Sequence, residues 1–161
     1  MTGTITALDV LGPFLSQAFS EPGTVAMTFA SHPIELLPQV LITDDDRDFR
    51  DALAEALTRR GFGLLLASDG CEAIEIICEQ PVHLMLVDMH MPRLSGLETL
   101  ASLQKLEIEM PCVLMSADLD DGIVDRAKGL NTSSVLAKPF SLQTITSVIR
   151  HILFDRYGWV A

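Results

Sequence analysis

The chain has 161 residues, of which 48% are hydrophobic, and it carries a formal net charge of −11. This length and hydrophobic content suit one domain with a substantial core and a short extension. The acidic balance, with an isoelectric point of about 4.6, argues against binding to nucleic acid or to anionic lipid, because both would require a basic face.

The N-terminal part carries few structural signals. No Lys or Arg precedes Arg47, and no apolar run approaches the ~18–20 residues of a membrane span, so we expect neither a secretory signal nor a membrane anchor. Three scattered cysteines without a CxxC pair indicate a reducing compartment, and we therefore expect a soluble cytoplasmic protein. Residues 1–37 are predicted to be a mostly irregular extension with a short helix over Leu8–Phe19. An alternative is that translation begins at Met27, which would leave the first predicted strand intact.

Downstream of Pro38 the sequence alternates between short apolar runs and amphipathic segments. Asp46 is placed to cap the first helix. Strands are predicted at 40–43, 64–67, 84–87, 112–116 and 135–137, and helices at 47–60, 71–80, 95–106, 121–130 and 141–154. Apolar strands without polar alternation indicate a parallel sheet covered by helices on both faces, which is the α/β class. We place the domain at residues 38–155 and a C-terminal tail at 156–161.

Polar residues stand at the carboxyl ends of the predicted strands. Asp44 and Asp45 follow the first strand, Asp88 follows the third, Ser116 ends the fourth, and Lys138 follows the fifth. Ligand sites in open α/β sheets lie at this edge, so we expect these side chains to meet there. Taken alone, the acidic run at Asp44 would indicate only a solvated turn with a helix cap.

Three carboxylates in one crevice repel each other unless a cation joins them. Hard oxygen ligands suit Mg²⁺, which binds one or two carboxylates together with phosphate. A carboxylate is also a nucleophile toward phosphorus and forms an aspartyl-phosphate. Asp88 is the candidate acceptor because it lies on the middle strand. Lys138 would bind one phosphate oxygen, and Ser116 would donate a hydrogen bond to another.

Five segments, in this order, resemble the receiver domain of two-component response regulators. They are VLITDDDRDFR, GFGLLLASDGCEAIE, LMLVDMHMPRLSGLE, PCVLMSA and SSVLAKPF. The resemblance extends from about Gln39 to Leu153. It implies a three-layer (βα)5 flavodoxin-like, or CheY-like, fold with a parallel sheet in the strand order 2-1-3-4-5.

The resemblance also implies roles for the polar cluster. Asp88 is implied as the phosphoacceptor and, together with Asp45 and the backbone carbonyl of His90, as a direct Mg²⁺ ligand. Asp44 is implied to act through a metal-bound water.

Further implied roles concern the phosphoryl group. Ser116, Ala117 and Lys138 are implied as the positions that bind it and respond to it. The Lys138–Pro139 peptide is implied to be cis.

Four positions either depart from the family pattern or flank the phosphoacceptor and the switch serine. Val135 stands where family members usually have Tyr or Phe, so either the output surface differs or the loop and Ser116 alone carry the coupling. We therefore predict a weaker conformational response. Asn131 replaces a usual Gly and tolerates a left-handed backbone. His90 and Asp118 are implied to tune the lifetime of the acyl phosphate, although both are equally compatible with solvated loop side chains.

The implied function is that of a stand-alone regulator. It would accept phosphoryl from a sensor histidine kinase or a histidine phosphotransfer protein and signal through an unidentified downstream protein, catalysing only its own phosphotransfer and dephosphorylation. It would be a monomer or a weak homodimer through the face of the fourth helix, fifth strand and fifth helix. Three alternatives stay open: a phosphorylation-independent binding module, the receiver part of a longer protein, and a phosphatase, which would require an acid where His90 stands.

Overall fold

In a computed structural model of the protein, the structure describes residues 37–160. The predicted extension, with its optional helix, therefore lies outside the described residues except for Leu37. The described part forms five strands and five helices in strict alternation: β1 (Gln39–Thr43), α1 (Arg47–Thr58), β2 (Gly63–Ala67), α2 (Gly70–Glu79), β3 (Leu84–Asp88), α3 (Gly96–Lys105), β4 (Cys112–Ser116), α4 (Asp121–Gly129), β5 (Ser134–Ala137) and α5 (Leu142–Tyr157).

All strand pairs are parallel, and the sheet order is β2-β1-β3-β4-β5. The predicted α/β class and strand order are therefore confirmed. Every residue of β3 and β4 is buried, as expected for central strands covered on both faces. The edge strands β2 and β5 are only partly buried.

Two apolar clusters lie on the two faces of the sheet. On one face, Ile42, Leu86 and Met115 pack against residues of α1 and α5, including Leu57 and Ile149. On the other face the alternate strand residues, such as Leu41, Met85 and Leu114, pack against α2, α3 and α4. This alternation follows from the two-residue period of a strand, which sends successive side chains to opposite faces.

The helix caps follow the sequence signals. The side chain of Asp46 accepts a hydrogen bond from the backbone N–H of Phe49, which confirms the predicted cap of α1. A capping box between Ser95 and Glu98 begins α3. These caps set the first residue of each helix, and so fix where the loops that follow β1 and β3 end.

The C-terminal end of α5 differs from the prediction. The helix continues three residues beyond Phe154 to Tyr157, whose hydroxyl donates to the carbonyl of His83, and Gly158 then ends it with a left-handed backbone (φ 67°). Trp159 packs on Phe62, with ring centroids 5.5 Å apart. The first two residues of the predicted tail are thus helical, and beyond the helix end the ring of Trp159 packs against the core. Among residues 37–160, no helix combines the length and apolar composition needed to cross a membrane.

Candidate functional site

The candidate site lies at the carboxyl ends of β1 and β3, where the strand order reverses. The chain proceeds from β1 to β2 on one side and then to β3 on the other, and such a switch point opens a crevice between loops. Asp44 follows β1 directly, and Asp88 is the last residue of β3 rather than the residue after it. The two side chains are almost fully buried, with residue exposures of 1% and 7%.

Lys138 connects the two aspartates. Its Nζ lies 2.7 Å from Oδ2 of Asp44 and 2.8 Å from Oδ1 of Asp88. The lysine reaches the crevice from the loop after β5, and its backbone N–H donates to the carbonyl of Ser116 (2.8 Å). Side chains far apart in the sequence therefore meet as the strand-end pattern predicted.

Burial and hydrogen bonding act in opposite directions on the ionisable groups of the crevice. Burial raises the pKa of Asp44 despite the opposing hydrogen bonds from Lys138 and from the backbone N–H of Asp46. Burial by itself would lower the pKa of the Lys138 ammonium, but its hydrogen bonds to Asp44 and Asp88 more than offset this, so its pKa is raised. The crevice therefore favours a charged lysine as the internal counter-ion of its carboxylates.

A third acid completes a group of oxygens that fits a metal ion. Asp44, Asp45 and Asp88 each offer a carboxylate oxygen, and these oxygens lie within 4.8 Å of one another. The side chain of Asp45 is exposed, so a bound cation would keep contact with water, as Mg²⁺ prefers. The donor set thus fits Mg²⁺. Its ligand assignment, including the His90 carbonyl, stays a prediction.

The loop after β3 is fixed by backbone contacts. The N–H of His90 donates to Oδ2 of Asp88 (3.0 Å), while the imidazole is exposed. The N–H of Met89 donates to the carbonyl of Met115, at 2.8 Å, and the N–H of Gly96 returns to the carbonyl of Met89, at 3.0 Å. The carboxylate of Asp88 is thereby oriented by its own loop.

The loop after β4 contains the predicted switch positions. Ser116 is fully buried, and its Oγ accepts a hydrogen bond from the N–H of Asp118 (3.2 Å). Ala117 and Asp118 are exposed. The side chains of His90 and Asp118 are both exposed. Their suggested influence on the lifetime of the phosphoryl group stays a prediction.

Three further predictions concern the backbone and the switch position near β5. The Lys138–Pro139 peptide is cis, as predicted, and Asn131 adopts the expected left-handed conformation (φ 57°). Val135 is half-buried on β5 and packs with the cluster formed by α2, α3 and α4. A small aliphatic side chain thus stands at the position that the family resemblance associates with an aromatic ring.

The sequence pattern missed several contacts around the crevice. The ring of Phe49 lies beneath Lys138, with 4.1 Å between Nζ and the ring centroid. The guanidinium of Arg50 donates to the carbonyl of Asp44 at 2.5 Å. Arg93, in the loop after β3, pairs with the buried carboxylate of Asp69 that caps α2. The helical spacing of Phe49 had indicated only core packing, because spacing does not show which side chain a ring will face.

The domain combines a parallel α/β sheet with an acidic crevice and a lysine at the switch point of the sheet. Comparison with known proteins identifies the class of protein that has these features. The model of the response regulator receiver domain family matches residues 40–150. The chain belongs to this family.

Relatives and solved structures agree with this assignment. Response regulator MprA from Mycobacterium leprae (strain TN) is 33% identical over 117 residues, which cover 71% of this chain and 50% of that protein. The receiver domain of Francisella response regulator 1452 has a TM-score of 0.67 at 30% identity, covering 74% of this chain and 98% of that one. The Vibrio cholerae chemotaxis protein CheY4 has a TM-score of 0.68 at 22% identity, covering 73% and 99%, and supports the fold alone. The chain spans about half the length of the curated relatives it matches.

Proposed function

We propose that Asp88 accepts a phosphoryl group from a phosphohistidine and that this modification changes how the domain binds another protein. The observation that carries the proposal is the contact of Lys138 with both Asp44 and Asp88, at 2.7 and 2.8 Å. A carboxylate oxygen of Asp88 would form a bond to phosphorus while the phosphorus–nitrogen bond breaks, and the departing imidazole would take up a proton from solvent.

The other residues of the crevice have complementary roles in this proposal. Asp45, Asp88 and the His90 carbonyl would hold Mg²⁺ directly, and Asp44 would hold it through water. When bound, Mg²⁺ would screen the charge of the incoming phosphoryl group. The ammonium of Lys138 would change its ion-pair partner from the Asp88 carboxylate to an oxygen of the phosphoryl group.

Ser116 and the adjacent backbone of Ala117 would respond to the new oxygens. The Ser116 hydroxyl, whose oxygen now accepts from Asp118 N–H, would donate its proton to the phosphoryl group. Phosphorylation adds about −1.5 to −2 charges at neutral pH, enough to shift a balance between two loop arrangements. The response would reach the face formed by α4, β5 and α5.

Val135 motivates the proposal of a weak conformational response. A valine cannot swing between buried and exposed positions as a ring does, so the loop and Ser116 would carry the coupling. Amide chemical shifts with and without beryllofluoride test this. Small changes along residues 119–138 are expected, and large ones would contradict it.

Family membership supports the choice of partners. We propose that the phosphodonor is a sensor histidine kinase or a histidine phosphotransfer protein in the cytoplasm. A downstream protein would read the modified face, and the domain would act alone or as a weak homodimer through the face of α4, β5 and α5. Because the curated relatives are about twice as long as their matched part, stand-alone action is a proposal about this chain only.

Phosphoacceptance is tested by intact mass after incubation with acetyl phosphate and Mg²⁺. We expect a gain of one phosphoryl group in the unaltered chain and none in Asp88→Asn. Asp69→Asn is a matched control, because Asp69 is another buried aspartate, and Asn retains its ability to cap α2. Phosphorylation of Asp88→Asn at the normal rate, or none in the unaltered chain, would disprove the proposal.

The suggested tuning residues have a separate test. His90→Ala and Asp118→Ala are expected to change the half-life of the phosphoryl group, because the backbone N–H of His90 contacts Asp88 and that of Asp118 contacts Ser116, which brings both residues close to the acceptor site. Unchanged half-lives would assign both to the solvated loops.

A further inference from the structure

The ammonium of Lys138 has an aromatic partner in addition to its two carboxylates. Asp44 and Asp88 account for two of its three N–H donors, at 2.7 and 2.8 Å. The Phe49 ring lies 4.1 Å from Nζ, well within the ~6 Å range of a cation–π interaction. With 20% of the lysine side chain exposed, the ring occupies space beside the ammonium that water would otherwise fill.

The ring is held in place from two sides. The backbone N–H of Phe49 donates to the cap residue Asp46 (3.1 Å), which fixes its position in the first turn of α1. Phe140, two residues after Lys138, meets the ring at 75° with centroids 6.1 Å apart, the edge-to-face arrangement that aromatic pairs prefer. The loop that supplies the ammonium therefore also supplies a contact that orients its aromatic partner.

We propose that Phe49 is a positioning residue that keeps the Lys138 ammonium in the crevice while its carboxylate partners are being used otherwise. The inference rests on the proposed phosphorylation of Asp88. Phosphorylation removes the Asp88 carboxylate as an ion-pair partner, and a bound divalent cation would neutralise part of the negative charge of Asp44 and Asp88 that attracts the ammonium. The ring contact survives both changes, because it involves neither carboxylate.

The consequence is an effect on the affinity for a phosphoryl group or its mimic. If the ammonium is in place only part of the time, the apparent affinity equals the intrinsic affinity multiplied by the fraction of time that it is in place. The electrostatic attraction of a cation to an aromatic face corresponds to a change of about threefold to tenfold in such an equilibrium. Leucine would fill similar space without supplying this attraction.

A simple packing role must be separated from this one, because Phe49 also contacts the core cluster on its face of the sheet. Mono-, di- and trifluorinated phenylalanines placed at position 49 of the full chain make this separation. Each fluorine withdraws electron density from the ring face while changing its size little. A packing role would be almost insensitive to the series, whereas a cation–π role weakens stepwise.

The measurement is the dissociation constant of beryllofluoride in the presence of Mg²⁺, followed by NMR. We expect it to rise stepwise along the series at Phe49, by about threefold to tenfold overall. The same substitutions at Phe62, which is 1% exposed and contacts Trp159, serve as the matched control and should leave it unchanged. A flat series at position 49 would overturn the inference.

A second measurement needs no phosphoryl mimic and is made with and without Mg²⁺, because the two carboxylates hold the ammonium most firmly when no cation competes for their charge. The hydrogens of the Lys138 ammonium should exchange with water faster as the Phe49 ring is fluorinated, which heteronuclear NMR detects directly. If beryllofluoride does not bind, or binds equally tightly to Asp88→Asn, the proposed function is refuted. The exchange rates would still decide whether the ring holds the ammonium. Unchanged exchange rates would count against the inference alone.

Discussion

Replacing Lys138 by Met removes the charge that bridges Asp44 and Asp88 but keeps an apolar stem of similar length. Asp44 is only 1% exposed, so its carboxylate would lose its counter-ion with little compensating hydration. Breaking a buried ion pair by removing one partner costs about 3–5 kcal/mol. Because the lysine side chain is 20% exposed, screening by water reduces this, and we expect a loss of about 2–3 kcal/mol near neutral pH without divalent cations.

The cost should depend on pH in a defined direction. Burial already raises the pKa of Asp44, and loss of the ammonium would raise it further. The folded variant would then keep its proton to a higher pH than the unfolded chain, whose aspartate pKa is about 3.9. Between these two pKa values the folded state binds more protons, so its stability falls as pH rises. The substitution should therefore cost less near pH 5 than near pH 7.5, in keeping with this linkage.

Urea unfolding followed by circular dichroism measures these differences. Lys128→Met is the control, because its ammonium lies 3.8 Å from Asp125 on a surface where the lysine side chain is 71% exposed, and its loss should cost less than ~0.5 kcal/mol. Saturating Mg²⁺ should restore part of the stability of Lys138→Met by neutralising the same carboxylates. A cost no larger than the control, or one that does not shrink at lower pH, would refute the reasoning.

Three further predictions concern stability. Gly96→Ala should destabilise the folded domain by ~2 kcal/mol or more, because a Cβ at this position would collide with the backbone carbonyl of Asp88. Gly129→Ala, which has open space around it, should instead stabilise the domain by ~0.5 kcal/mol. Urea unfolding of both variants checks this, and equal effects would contradict it. Burial lowers the pKa of His83, so the stability it contributes is present above its unfolded pKa of about 6.5 and is lost as pH falls below that value. Thermal unfolding of His83→Gln should accordingly vary less between about pH 7 and pH 5.5 than that of the unaltered chain, and parallel profiles would disprove this. Trp159→Ala should lower the free energy of unfolding by ~2 kcal/mol, because the ring packs on Phe62. The loss is smaller than for a fully buried Trp, since this ring is only half-buried. Unchanged unfolding would show that the segment after α5 adds no stability.

The Lys138 contacts have a consequence for metal binding that follows from the same geometry. The lysine pairs with the carboxylates of Asp44 and Asp88, which are two of the three acids in the candidate metal cluster. Cation and ammonium therefore compete for part of the same negative charge. Divalent binding should weaken the hold of the carboxylates on the lysine, which is the condition under which the ring of Phe49 would matter most.

The amino-acid sequence by itself determined the α/β class, the alternation of elements and the edge of the sheet at which the polar residues meet. These follow from local properties: apolar periodicity, helix caps such as Asp46, and the rule that parallel strands end on the same edge. For that reason Asp44, Asp88 and Lys138 could be assigned to one site before any coordinates. The strand order itself came from the family resemblance, because short apolar strands carry no information about their neighbours.

Only the tertiary structure decided which side chains contact each other within that site. The ring of Phe49 faces an ammonium that lies 89 positions away in the sequence, and helical spacing could assign it only to the apolar face of α1. The same limit explains the end of α5, where Tyr157 is held by a carbonyl of a distant loop. Local patterns report which face of an element is buried, whereas the partner on that face is selected by packing between segments that are remote in the chain.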